Sequence, residues 1–89
     1  MKIKDGFVLR NVADNYIVIG VGEEAVDFNG MITLNETGAF LWKILAESNV
    51  DKNGLLTSLM HEYDVDAYTA ERDIDDFLEK LQDGGLLIS

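Results

Sequence analysis

Met31-Ile32-Thr33-Leu34-Asn35-Glu36-Thr37-Gly38-Ala39-Phe40-Leu41-Trp42 changes its periodicity halfway along. Met31 to Leu34 follows Asn29-Gly30, and that pair supplies the positive φ angles of a type I′ turn. The four residues therefore read as a strand leaving a hairpin. Asn35 then offers a side-chain acceptor for a helix N-terminus, and Glu36 lies at the positive end of the helix dipole. Phe40, Leu41, Ile44 and Leu45 recur at helical spacing with Trp42 beside them. The chain passes here from strands to helices.

Upstream, only strands are legible. Phe7-Val8-Leu9-Arg10-Asn11-Val12 is rich in β-formers, and Ala13-Asp14-Asn15 breaks it with turn chemistry. Tyr16-Ile17-Val18-Ile19-Gly20-Val21 is a second run, ended by Gly22-Glu23-Glu24. Ala25-Val26-Asp27-Phe28 reads as the strand on the near side of the Asn29-Gly30 turn. The N-terminal part is thus expected to be an antiparallel sheet of three to four strands.

Downstream, the pattern is helical. A second helix is expected from about Asn49–Asp51 to Tyr63, with Leu55, Leu56, Leu59, Met60 and Tyr63 on its apolar face. Asp66 can cap a third helix carrying Ala67, Ala70, Ile74, Phe77, Leu78 and Leu81, which Gly84-Gly85 stops. Leu86-Leu87-Ile88 reads as a last strand or an apolar plug. Segregated strands and helices imply an α+β fold. Three short helices with a small sheet are the parts of a winged helix-turn-helix.

The bulk properties set limits. A chain of 89 residues, 47% hydrophobic, is expected to form a single domain over residues 1–89. No apolar run approaches the length of a membrane span, and no secretory signal is legible, so the cytoplasm is the expected location. Cysteine is absent, which excludes disulfides, thiolate catalysis and cysteine-ligated metal. Seven basic residues against seventeen acidic ones give a net charge of −10. Duplex binding relies on Lys and Arg against phosphates, so nucleic acid is a poor partner. The acids solubilise the chain or form a surface for a basic partner.

Catalytic signals are weak. His61 is the sole histidine, on the expected second helix toward solvent, with no cysteine to activate and no second histidine for a metal. Gly20-Val21-Gly22 is followed by two acids where a phosphate would bind, and reads as a turn. Asp64-Val65-Asp66-Ala67-Tyr68-Thr69 lacks the sixth-position glycine of a calcium loop. No enzyme activity and no cofactor are expected. Trp42 reads as core. On the third helix Thr69, Asp73, Asp76 and Lys80 share one flank, and Glu71, Asp75 and Gln82 share the other. An outward Met31 with Thr33 would leave an adaptable spot at a sheet edge whose N–H and C=O groups invite a partner strand.

At these residues a family resemblance becomes visible. The stretch from Asn29 to Trp42 resembles the strand, Leu-Asn-Glu-Thr-Gly and Trp-bearing helix of PqqD-like proteins. Glu62-Tyr63-Asp64-Val65-Asp66 resembles the end of that family's second helix. Glu71 to Leu81 with Gly84-Gly85-Leu86-Leu87 resembles its third helix and closing Gly-Leu. The segment Gly22 to Asn29 departs from the pattern and suggests a longer hairpin. The resemblance implies a winged helix-turn-helix-like recognition element of ribosomal peptide modification systems. Such a domain binds the leader of a precursor peptide as an added strand, in a groove against the third helix. Mapped here, the implied peptide-binding residues are Met31, Ile32, Thr33, Leu34, Asp73, Asp76, Phe77 and Lys80. The implied partners are the precursor peptide and a separate modifying enzyme, such as a radical iron–sulfur maturase, a cyclase or a protease. A DNA-binding winged helix, or a scaffold using the same groove on another protein, are the alternatives. The chain is expected to be a monomer, or a homodimer if its open edge pairs with a copy of itself.

Overall fold

The computed structural model describes residues 1–27 and 30–88. In chain order these form β1 (Lys2–Ile3), β2 (Phe7–Val12), β3 (Asn15–Gly20), α1 (Glu24–Asp27), β4 (Ile32–Leu34), α2 (Glu36–Glu47), α3 (Lys52–Glu62), α4 (Ala67–Asp83) and β5 (Leu87–Ile88). Strands β2, β3 and β4 make an antiparallel sheet in that order, while β1 pairs antiparallel with β5. The α+β architecture and the three long helices match the sequence expectation.

Strands β2 and β3 are joined by a two-residue turn, since Val12 pairs with Asn15. Both turn residues are left-handed, Ala13 at φ 50° and Asp14 at φ 69°. That is the geometry whose twist matches a hairpin, built without glycine. The next stretch corrects the sequence reading. Residues 25–27, expected as a strand, belong to α1. Gly22 at φ 63° turns the chain, and the amides of Glu24 and Ala25 then donate back to the carbonyls of Val21 and Gly22. Those local bonds close a helical turn instead of a ladder. Gly20 permits the close approach: a Cβ there would lie 2.5 Å from the Glu24 carbonyl oxygen. The rest of the expected hairpin, Phe28 and Asn29, lies outside the described residues.

The three long helices begin as their caps dictate. Asn35, Asp51 and Asp66 each accept a hydrogen bond from a backbone amide three residues on, at 2.8, 2.8 and 2.7 Å. At Asp66 the amide of Thr69 holds the carboxyl below its ordinary pKa. Helix α4 ends in a Schellman arrangement. The Leu86 amide donates to the Leu81 carbonyl and the Gly85 amide to that of Gln82, with Gly85 left-handed at φ 77°. This turn buries Leu86 and sends Leu87–Ile88 back to β1, so the apolar tail is both a plug and a strand.

One face of the sheet supplies Val18 and Leu34 to the core. The helices supply Leu41, Trp42 and Leu45, then Leu55 and Leu59, then Ala70, Ile74, Phe77 and Leu81. Trp42 is buried, as expected of a core residue. Met60, assigned to the apolar face of its helix, instead faces solvent, because Leu55 and Leu59 alone reach the centre. Ala67 is exposed in the first turn of α4. Each fully buried leucine contributes about 1.5–3 kcal/mol of hydrophobic free energy.

Candidate functional site: a cleft beside an edge strand

Strand β4 is an edge. Its residues pair with β3 through Ile32 and Val18, Thr33 and Ile17, and Leu34 and Tyr16. No strand lies on its other side among the described residues. There the wall is α4, and the one hydrogen bond across the gap among those residues runs from Lys80 Nζ to the Thr33 carbonyl at 3.4 Å. That contact is long and exposed, and the register agrees with it: the two-residue turn makes Val12 and Asn15 a hydrogen-bonded pair, so Tyr16 and Val18 turn their backbone groups toward Leu34 and Ile32, and Ile17 turns its own away from Thr33. The Thr33 carbonyl points away from β3, and in a strand the N–H of a residue shares the direction of its carbonyl. Thr33 therefore turns both backbone groups to the open side, while Ile32 and Leu34 spend theirs on β3. The side chains alternate as well. Leu34 is buried and Thr33 exposed, as the period of two requires.

Two hollows lie along this edge, of about 330 and 650 Å³. They share Leu34, Asn35 and Lys80 and form one cleft. The first runs between the start of α2 and α4, with Asp73, Asp76, Phe77, Glu79, Lys80 and Asp83 on its helical wall. The second continues over Thr33 toward the β2–β3 turn and carries Asp14, Tyr16 and Glu36. Phe77 is 3% exposed and forms floor, not rim. Gly38 keeps the floor open. A Cβ there would come within 3.2 Å of Leu34 Cβ and 3.1 Å of Asn35 Oδ1, so a side chain at this position would push both neighbours by a few tenths of an ångström.

Of the eight residues singled out from the sequence, Thr33, Leu34, Asp73, Asp76, Phe77 and Lys80 line the cleft. Met31 and Ile32 do not. Met31, 63% exposed, precedes the strand, and Ile32 is half-buried among residues packed on the core. Asn35, Gly38, Glu79 and Asp83 were missed. Asp83 continues the stripe of Asp73, Asp76 and Lys80 at helical spacing, so a longer reading of that flank would have found it. Glu36 follows Leu34 directly into α2, whereas Asp14 and Tyr16 join through strand register, for which no local signal exists.

The two flanks of α4 differ in their electrostatics. Glu71 and Asp75, on the far flank, face Lys52 of α3 at 3.7 and 2.6 Å. On the cleft flank, none of Asp73, Asp76, Glu79 and Asp83 has an ion-pair partner among the described residues. Those residues hold no group of three or more His, Cys, Asp or Glu placed to ligate a metal, and no helix long and apolar enough to cross a membrane.

A winged helix-turn-helix-like α+β fold with an uncovered edge strand beside a helical wall defines the class of protein. The chain belongs to the PqqD family, whose model, coenzyme PQQ synthesis protein D, matches residues 16–87. No curated protein sequence matches the chain. Among solved structures it is similar to TbiB1 in complex with the TbiA(beta) leader peptide. Identity there is 29%, with 98% of this chain and 94% of that chain covered and a TM-score of 0.72. It also shares its fold with a lasso peptide synthetase B1 complexed with the leader peptide. That match has 18% identity, covers 99% of this chain and 96% of that one, and has a TM-score of 0.73.

Proposed function

We propose that the protein, acting as one recognition domain over residues 1–89, holds the leader of a ribosomally made precursor peptide. The leader adds as a strand to the outer edge of β4 and lies in the cleft against α4. The observation that carries this reading is the parity of Thr33, whose amide and carbonyl both face the cleft and away from β3. A PqqD-family fold shared with proteins solved in leader complexes supports it. Main-chain pairing gives affinity without demanding one sequence, and the side chains of the cleft add selection.

Catalysis is left to a partner. The protein raises the local concentration of the precursor beside a modifying enzyme, a role that needs no catalytic group of its own. That enzyme is a maturase of the radical iron–sulfur type, a cyclase or a protease, met in the cytoplasm where the precursor is made. Carboxylates on both flanks of α4 disfavour duplex DNA as the ligand.

The test is an amide chemical-shift titration of the labelled protein with the leader of a precursor encoded beside it. Shifts are expected at Ile32–Leu34 and along Asp73, Phe77 and Lys80. Saturable binding that leaves those amides unmoved and shifts α3 instead would remove the reading.

A further inference from the structure

The cleft has a chemical bias that strand addition does not require. Asp14, Glu36, Asp73, Asp76, Glu79 and Asp83 line its two parts, and Lys80 is the one cation among the lining residues. The ammonium of Lys80 does not neutralise them: its recorded bond goes to the Thr33 carbonyl, and it makes no ion pair with a carboxylate among the described residues. The same helix satisfies its far-flank acids through Lys52, so the unpaired state belongs to the cleft and not to α4 as a whole. Asp73 to Asp83 spans ten residues of helix, about 15 Å. An extended chain covers that distance in about four to five residues.

We propose that the segment received between β4 and α4 is basic, with Lys or Arg on the face turned to α4, where Asp73, Asp76 and Asp83 receive it. This rests on the strand-addition reading and adds the charge of the partner to it. An entering strand donates to the Thr33 carbonyl and releases Lys80, which then lies within helical reach of Asp76 and Asp83. Four carboxylates on that wall still outnumber the single ammonium, so incoming cations gain and incoming acids are repelled. A neutral segment retains the backbone pairing alone.

The experiment selects a randomised ten-residue peptide library against the immobilised protein at 50 mM salt, beside the triple variant Asp73→Asn, Asp76→Asn, Asp83→Asn. Fluorescence of Trp42 verifies that the variant folds. Lys and Arg should be enriched over Asp and Glu in the pool bound by the native protein, and that enrichment should vanish with the variant. A selected basic peptide should bind the variant about tenfold more weakly at low salt, and the gap should shrink at 500 mM, because exposed pairs are individually weak and screened. A bound pool no richer in cations, or an enrichment the variant preserves, overturns the proposal. Selected neutral peptides that shift the amides of Ile32–Leu34 would sink the charge bias while keeping strand addition. Peptides that all leave those amides unmoved would sink strand addition itself. A concentration-dependent dimer that shifts the same amides assigns the edge to a second copy and also overturns the proposal.

Discussion

Proline at Thr33 separates binding from folding, because the parity of β4 makes two neighbouring positions opposite in kind. The Thr33 N–H faces the cleft, so its loss removes nothing from the β3 ladder. Proline is tolerated on an edge strand when its missing donor faces outward, and Ile32 before it is already in a strand, the region a pre-proline residue prefers. An incoming strand loses one hydrogen bond, worth about 0.5–1.5 kcal/mol net. The ring also stands where the partner's carbonyl must approach, in a sheet whose strands lie about 4.8 Å apart. If the partner retreats locally, the bond to the Thr33 carbonyl goes too, and the total is about 1–3 kcal/mol by the same scale. Titration calorimetry with the leader should therefore show binding about 5- to 150-fold weaker. Urea unfolding followed by Trp42 fluorescence should give a midpoint close to that of the native protein. Ile32→Pro is the control, since it deletes a donor directed at Val18. Its cost falls on stability, at about 1–3 kcal/mol for a buried carbonyl left unpaired. Equal leader affinity for native protein and a well-folded Thr33→Pro variant would refute the register. So would the reverse pattern, with Thr33→Pro unfolding and Ile32→Pro merely binding weakly.

Three further outcomes follow from the fold. Gly85→Ala should lower stability by about 1–2 kcal/mol, or roughly 4–15 °C in melting temperature. Its φ of 77° is left-handed while a Cβ there meets no atom within 4 Å, so the cost is conformational alone. Ala13→Asn should raise the melting temperature by about 2–6 °C, because asparagine accepts the left-handed turn position more readily than alanine. Asp66→Ala should lower the denaturation midpoint at neutral pH by removing the α4 cap. The pKa of Asp66 is depressed from 3.8, so its ionic contribution is present above that value and is lost as pH falls through the lower folded value. The native and alanine midpoints should converge as the solution is acidified through that window, whereas Asp66→Asn should hold its cap throughout.

The helices were legible because their signals are local. Asn35 and Asp66 announce their caps within a few residues, Gly84-Gly85 announces a stop, and the stripe of Ala70, Ile74, Phe77 and Leu81 needs one helix to be read. The sheet was legible in its residues and in its first joint, and not in its second. The hairpin turn of β2 and β3 falls at Ala13 and Asp14, within the break read from Ala13-Asp14-Asn15, and six paired positions on either strand hold Ala13 left-handed although it lacks the preference of Asp14 for that region. Residues 25–27 read as a strand because Asn29-Gly30 follows them, yet the close approach that Gly20 permits and the turn at Gly22 fold them into α1. The β1–β5 pair joins residues at opposite ends of the chain, and two-residue strands carry no periodicity. The site divides the same way. Its α4 wall could be read from helical spacing, whereas Asp14 and Tyr16 enter only once β3 pairs with β4.

Helix α4 carries both the core and the cleft wall, and its periodicity keeps them separable. Ala70, Ile74, Phe77 and Leu81 are buried, while Asp76, Glu79, Lys80 and Asp83 are exposed between them. Changes on the cleft flank thus leave the packed stripe intact, and selectivity for a partner can drift without a matching loss of stability. Phe77 is the exception, because it is floor to the cleft and core to the fold. The division also explains where the charges reside. Carboxylates on the far flank of α4 have a lysine of α3 to face, which ties two helices together. Those on the cleft flank have no such neighbour among the described residues, since what would face them is the gap beside β4. Like charges gathered along one wall repel one another, a cost to the free protein that an incoming cation relieves. An uncovered edge is likewise a liability for a lone domain. Both costs are removed by the same event, the arrival of a basic extended segment, so the open edge and the unpaired carboxylates stand where one ligand answers both.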